Sequence, residues 1–205
     1  MKHIKIFEDF ETKNNILIVV DVQKSFRKFF TEMYLHEVKK YCKSFKTVYQ
    51  IWDNHTEKTP DKDYLYDKNP DIPIEKDLYQ FPNQVDLIEK RYNYDVDADF
   101  YKKILDKETY LKIKGMEDAN TLKRGNFFPT KEGTILVYIG NNHKWFHAPK
   151  KLYNIFSKLK GKEVVIIGGS SNECLLDLEI CGLAMGVKIK RNEKYIYSAS
   201  HCPIK

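Results

Sequence analysis

One stretch decides the fold of this chain, residues 164–178, VVIIGGSSNECLLDL. Four consecutive apolar residues that end at two glycines are typical of a strand buried on both faces, as in a parallel sheet. A short polar turn follows, and apolar residues then recur with a mostly helical spacing. The stretch therefore predicts a strand, a sharp turn and a helix.

Cys174 falls in the first turn of this predicted helix. Unpaired backbone N–H groups and the positive end of the helix dipole stabilise a thiolate there, so the position suits a nucleophile. The alternative is a buried, unreactive cysteine that packs as a small hydrophobic side chain. Free cysteines are commonly buried, and the stretch by itself favours this alternative.

Length and composition favour a single α/β domain over residues 1–205, with 42% hydrophobic residues to form its core. No apolar run approaches the roughly 20 residues of a membrane-spanning helix, and the N-terminus lacks a signal-peptide hydrophobic region. The chain is expected to have no membrane partner. The four cysteines are widely spaced, which predicts neither a disulfide framework nor a zinc ribbon and favours a reducing, cytoplasmic location.

The formal charge of +6 arises from 35 lysines and arginines against 29 acids. The lysines are spread along the chain and interleaved with acids, which is typical of a solvated surface. Nucleic acid is therefore not an expected partner. A small-molecule partner is favoured, and the sequence leaves a homo-oligomer open.

Apolar runs alternate with helical patterns along most of the chain. Strands are predicted at residues 16–20, 47–52, 134–139 and 164–168, and helices at 24–46, after 143 and from Cys174 to about 186. This alternation predicts a doubly wound, mostly parallel sheet with helices on both faces. Residues 56–133 interrupt it as an irregular cap or insertion.

Within and after this insertion the patterns are weaker. Residues 97–106 indicate a helix, and residues 110–114 alternate as in a short strand. Near the C-terminus, residues 187–190 predict a partly exposed strand and residues 195–197 a last one.

Two aspartates follow predicted strands, where open α/β sheets bind their ligands. Asp21 ends the strand at 16–20, and its alternative role is to cap the next helix. Asp53 ends the strand at 47–52 and begins Asp53-Asn54-His55. Asp53 and His55 together would supply two metal ligands, or they belong to a surface turn.

These elements resemble the isochorismatase-like cysteine hydrolases, which include the nicotinamidases. Residues 16–26, ILIVVDVQKSF, resemble the family's opening strand, and residues 164–186 resemble the segment that carries its nucleophile. The resemblance implies a three-layer sandwich, with Asp21 as the general base and Cys174 as the nucleophile. It also implies a non-proline cis peptide near Gly169–Ser170, beside an oxyanion hole that uses the Cys174 N–H.

The resemblance further implies a divalent, zinc-like metal at Asp53 and His55, although the reaction requires no cofactor. Residues 81–84, FPNQ, resemble the family's W-P-P-H run, with Gln84 in place of histidine. The family's remaining metal-binding histidines have no clear counterpart.

The family's catalytic lysine is the main departure. Counting back from Cys174 by the usual spacing leads to Asn141. Lys144, three residues later, is the first substitute, and Lys90 is the second. The alternative is that both lysines are solvated, as most lysines are.

The expected function is hydrolysis of a small-molecule amide or related C–N bond, with Asp21, Cys174 and Lys144 as catalytic residues. The alternative is a weakly active or inactive family member that binds a metabolite or a protein. We expect Asp21 and Cys174 to lie within about 5 Å of each other, near catalytic contact range.

Overall fold

The computed structural model describes residues 16–53, 78–90, 102–138, 140, 145–198 and 200–204. Its strands are β1 Ile16–Val20, β2 Thr47–Asp53, β3 Gln84–Lys90, β4 Phe127–Pro129, β5 Ile135–Tyr138, β6 Trp145–Ala148, β7 Glu163–Gly168 and β8 Lys188–Ile196. Its α-helices are α1 Glu32–Cys42, α2 Lys107–Asp118, α3 Lys150–Leu159 and α4 Cys174–Ala184, and a 3-10 helix spans Lys24–Phe29.

A mostly parallel five-stranded sheet, flanked by helices, confirms the predicted α/β class. Its strand order is β3-β2-β1-β7-β8. The central strand β1 pairs in parallel with both β2 and β7, and Val20 lies opposite Ile51 on one side and Gly168 on the other. The carboxyl ends of these three strands therefore lie at one edge of the sheet.

The chain divides into two compact units, the first of which includes Met1–Ile88, Glu163–Leu176 and Ile189–Lys205. Here one face of the sheet packs against α1 and the 3-10 helix. Its buried apolar cluster includes Leu17, Val19, Val48, Val165 and Ile167 from the strands, Phe26, Tyr34, Leu35 and Val38 from the helices, and Phe30 from the link between the two helices. Continuous β-branched strands and an amphipathic helix explain this layer.

The second unit includes Glu89–Lys162 and Asp177–Lys188. Its three-stranded sheet has the order β4-β5-β6, and β5 is antiparallel to both neighbours. A buried apolar cluster includes Ile104, Leu105, Ile113, Phe128, Leu136 and Trp145. The single-domain interpretation, with its insertion at 56–133, stays a prediction.

The strand predicted at 134–139 is therefore not a member of the parallel sheet. The apolar run does form β5, but it pairs with β4 and with β6, a strand that the sequence patterns did not indicate. Buried runs look alike in either kind of sheet, and β6 has only four residues.

Other predicted boundaries also change. Residues 110–114 lie in α2 rather than in a strand. Asp106 caps the start of this helix, because its side-chain carboxylate accepts the Thr109 N–H at 2.7 Å. The helix predicted at 24–46 is two helices, and Thr31 caps the second by accepting the Tyr34 N–H. β3 lies inside the range taken as irregular, and β8 replaces two short strands.

The helix predicted after residue 143 is confirmed as α3, and Leu152, Ile155, Phe156 and Leu159 are all buried as expected. In the described part of the chain, no helix is long and apolar enough to cross a membrane. Within the insertion at 56–133, residues 56–77 and 91–101 lie outside the described residues.

Candidate active site

Asp21 is the first residue after β1 and is only 1% exposed. Its backbone N–H donates to the Ile51 carbonyl at 2.9 Å, and its φ of 53° lies in the left-handed region. The chain therefore turns sharply as it leaves the sheet. Asp21 is not a helix cap, because the residue that precedes the 3-10 helix is Gln23. A buried carboxylate at the ligand-binding edge of a sheet marks a candidate functional residue.

Gln23 joins the ends of β1 and β2. Its side-chain Nε2 donates to the Asp53 carbonyl at 3.1 Å, and its Oε1 accepts the Asp53 N–H at 3.0 Å. The side chain is fully buried. The glutamine of the D-x-Q pattern thus holds two strand ends together in the way that a further ladder pair would.

The turn after β7 brings two glycines against neighbouring groups. A Cβ on Gly168 would overlap the Val20 carbonyl, and one on Gly169 would overlap the Tyr197 ring. The Gly169 N–H donates to the same Val20 carbonyl at 3.0 Å. Close approach therefore requires glycine at both positions. The peptide bond between Gly169 and Ser170 is cis, as the resemblance implied.

Cys174 is the first residue of α4 and is half-buried. The turn before it is held by the Ser170 carbonyl, which accepts the N–H groups of Glu173 at 3.2 Å and Leu175 at 3.1 Å. The first turn of a helix presents N–H groups and a partial positive charge, and both favour an anion. The prediction that Cys174 begins a helix is confirmed.

Two other cysteines contrast with Cys174. Cys42 and Cys181 are fully buried, and burial raises the pKa of the Cys42 thiol to about 12 and also raises the pKa of the Cys181 thiol. Both thiols therefore stay protonated at neutral pH and pack as small apolar groups.

Tyr197 links the ends of β1 and β7, a role that sequence reasoning missed. Its hydroxyl donates to the Asp21 carbonyl at 2.6 Å, and its ring lies against Gly169. Its backbone N–H donates to the Gly168 carbonyl at 2.9 Å, and its carbonyl accepts the Ser171 N–H at 3.2 Å. The sequence signal was only a tyrosine at the end of the last strand.

The metal ligands predicted at Asp53 and His55 are only partly covered by the structure. Asp53 is the last residue of β2, whereas His55 lies outside the described residues. Among the residues that the structure describes, no three His, Cys, Asp or Glu side chains group together as metal ligands. Those residues alone do not fit a metal site, and the predicted metal stays a prediction.

Gln84, the residue in place of the family's histidine, has a local role. Its Oε1 accepts the Phe81 N–H at 3.2 Å and so closes the turn before β3. The structure does not locate the predicted catalytic lysine, because Lys144 and Asn141 are outside the described residues. Lys90 is the last residue of β3. The catalytic assignment of Lys144 stays a prediction, as does Lys90 as its substitute.

Comparison with protein-family models, curated proteins and solved structures finds no match for this chain.

Proposed function

We propose that the chain is a hydrolase that cleaves a small-molecule amide or a related C–N bond, with Cys174 as nucleophile and Asp21 as base. The observation that carries the proposal is the pairing of two strand ends. Val20 and Gly168 are register partners in parallel strands, and Asp21 directly follows Val20. Because adjacent strands lie about 4.8 Å apart, the buried carboxylate begins next to the turn that leads to Cys174.

Tyr197 supports the same proposal. It binds the Asp21 carbonyl through its hydroxyl and contacts Gly169 through its ring. A single buried side chain thus fixes the backbone on both sides of the proposed site. Such support from a rigid neighbour is what a nucleophile and its base need in order to stay in reacting geometry.

The proposed reaction has two stages. In the first, the Asp21 carboxylate takes the thiol proton of Cys174, and the thiolate attacks the amide carbon. The C–N bond breaks, the amine leaves with the proton from Asp21, and a thioester remains. In the second, Asp21 takes a proton from water, the hydroxide attacks the thioester, and the acid leaves as the thiol re-forms. Backbone N–H groups of the turn and of the start of α4 would hold the oxyanion in both stages.

Ammonia release from a panel of small primary amides tests the proposal. We expect release from at least one amide by the wild-type chain. Cys174→Ala should abolish it, and Asp21→Asn should lower the rate by roughly 10²–10⁴-fold, the usual effect of losing a general base. Cys202→Ser is the matched control, because Cys202 is also half-buried but lies near the C-terminus.

Two results would contradict the proposal: release that survives in Cys174→Ala, or no release from any amide. In the second case, an amide that raises the melting temperature of the wild-type chain but not of Asp21→Asn would support the alternative, a protein that binds a metabolite at this site without turning it over.

A further inference from the structure

An open cleft of about 630 Å³ lies within the first unit, away from the strand ends described above. One wall is the second half of α1, and the other is a short segment before β3. Its lining residues are His36, Lys39, Lys40 and Lys43 on the first wall and Gln80, Phe81 and Pro82 on the second. Its volume falls within the range of small-ligand sites, about 300–1,000 Å³.

The four basic residues face the cleft because of helix geometry. Positions 36, 39, 40 and 43 lie within a narrow arc at 3.6 residues per turn. Lys43 is the C-cap of α1, so the row ends where the helix ends. From position 36 to 43 the rise is about 10 Å. The side chains thus form one short row along a single wall.

Among the residues that the structure describes, no acid forms an ion pair with this row. None of the seven lining residues is acidic, and none of the described ion pairs includes a member of the row. The acid one turn earlier on the same side, Glu32, is bound to Arg27 at 2.6 Å. Three lysines side by side repel one another, and an anion in the cleft would relieve this repulsion.

The Tyr79 ring lies beside two lysines near this end of α1. The ammonium groups of Lys39 and Lys24 lie 5.5 Å and 6.0 Å from the centre of the Tyr79 ring. Cation–π contacts of this kind help to hold a lysine in place. Tyr79 therefore restrains two cations beside the cleft.

The helix dipole gives a simpler reason for lysines at this position, since cations stabilise a helix C-terminus. That reason accounts for charge in the last turn. It does not account for His36, which lies outside the last turn, or for a facing wall that carries the exposed amide of Gln80. Gln80, Phe81 and Pro82 form the second wall, and together with the charged end of α1 they line a cleft.

We propose that this cleft binds a small molecule that carries two or three linked phosphate groups. Lysine ammonium groups bind phosphate as point charges, and a row about 10 Å long matches such a chain better than the long track that RNA needs. The Gln80 amide supplies a neutral donor from the opposite wall. This site is separate from the Asp21–Cys174 site and does not depend on the proposed hydrolase activity.

Calorimetric titration with inorganic triphosphate at low salt tests the proposal. The variant Lys40→Gln with Lys43→Gln should weaken binding at least tenfold, because both lysines are exposed and line the cleft. The matched control is Lys158→Gln with Lys160→Gln, which removes two exposed charges at the end of α3. Both variants lower the net charge by two, so the control corrects for any effect of net charge. Because Lys158 and Lys160 do not line the cleft, the control should change the dissociation constant by less than twofold.

Four results would contradict the proposed binding of linked phosphate groups. Equal weakening in both variants would mean attraction to net charge alone and would overturn the proposal. Citrate binding as tightly as triphosphate would overturn the preference for phosphate, and a single-stranded RNA binding more tightly than triphosphate would replace the small ligand with RNA. No binding by a wild-type chain shown to be folded by circular dichroism would also overturn it.

Discussion

At the scale of single residues, Tyr197 links the two backbone segments of the proposed active site. It is buried, and it contacts both Asp21 and Gly169. A phenylalanine would keep the ring against Gly169 and remove only the hydrogen bond to Asp21. The substitution therefore separates the positioning of Asp21 from packing.

We expect Tyr197→Phe to lower the free energy of unfolding by about 1–3 kcal/mol, because it leaves the buried Asp21 carbonyl without this donor. It should also change the pH profile for alkylation of Cys174 by iodoacetamide, measured by mass spectrometry of the Cys174 peptide. The matched control is Tyr34→Phe. The Tyr34 hydroxyl also donates to a buried carbonyl, but to that of Tyr195 at 2.8 Å rather than to that of Asp21. A phenylalanine at position 34 keeps the ring that packs against Tyr197.

The control variant should lose similar stability and keep the wild-type alkylation profile. If both variants shift the profile equally, Tyr197 has only a structural role. If neither shifts it, the hydrogen bond from Tyr197 to the Asp21 carbonyl does not influence the Cys174 thiol, and the positioning role of Tyr197 is wrong.

At the scale of elements, the sequence predicted the strands and helices of the parallel sheet better than those of the second unit. Runs such as residues 16–20 and 164–168 are long, β-branched and buried on both faces, so their type is clear from composition. β4 and β6 have three and four residues, which is too short for a period to appear. α2 was missed because the apolar alternation over the five residues 110–114 indicated a strand. The signal for the start of the helix is its N-cap, Asp106, which lies before those residues.

The hairpin of β5 and β6 carries a titratable group that makes its stability depend on pH. The Nε2 of His147 lies 2.6 Å from the Thr134 hydroxyl, which lies 2.7 Å from the Thr130 hydroxyl. Burial lowers the pKa of His147, and the negative charge of Glu132 opposes this only in part. As the pH falls below about 6.5, the unfolded chain takes up a proton that the folded chain resists.

The contribution of His147 to stability should therefore be full above pH 6.5 and be lost as the pH falls through the lowered pKa of His147. Urea unfolding at pH 7.5 and pH 5.0 measures this loss. His147→Gln should lose less stability between the two values than wild type, whereas His36→Gln, at an exposed histidine, should behave as wild type. Equal losses in all three proteins would show that this histidine does not set the acid dependence.

At the scale of the whole molecule, the sequence predicted the α/β class, the strand that ends before Asp21 and the helix that begins at Cys174. It did not predict that residues 135–138 pair in a separate antiparallel sheet, because hydrophobic patterning reports burial and not the partner strand. Tyr197 and Gln23 were not recognised as links between strand ends, because their contacts join residues 176 and 30 positions apart. Such contacts depend on topology rather than on local spacing.

Burial of ionisable groups also sets how the whole molecule responds to alkaline pH. Tyr34, Cys42 and Cys181 are fully buried, and in each case burial raises the pKa, to about 12 for Cys42. A raised folded-state pKa contributes stability that is fully present below the pKa of the unfolded chain, about 8.5 for cysteine and about 10 for tyrosine. This stability is lost as the pH rises towards the folded-state value, because only the unfolded chain ionises freely.

We therefore expect the free energy of unfolding to fall steeply between pH 9 and pH 11, as measured by urea denaturation with tryptophan fluorescence. Cys42→Ala tests the cause, since its two effects have opposite signs. At pH 7 the variant should be less stable than wild type, because it loses a packed sulfur and leaves a small cavity. Between pH 9 and pH 11 it should lose less stability than wild type, because one of the buried acids is gone. A variant that loses as much as wild type over this range would show that the Cys42 thiol does not contribute to alkaline unfolding.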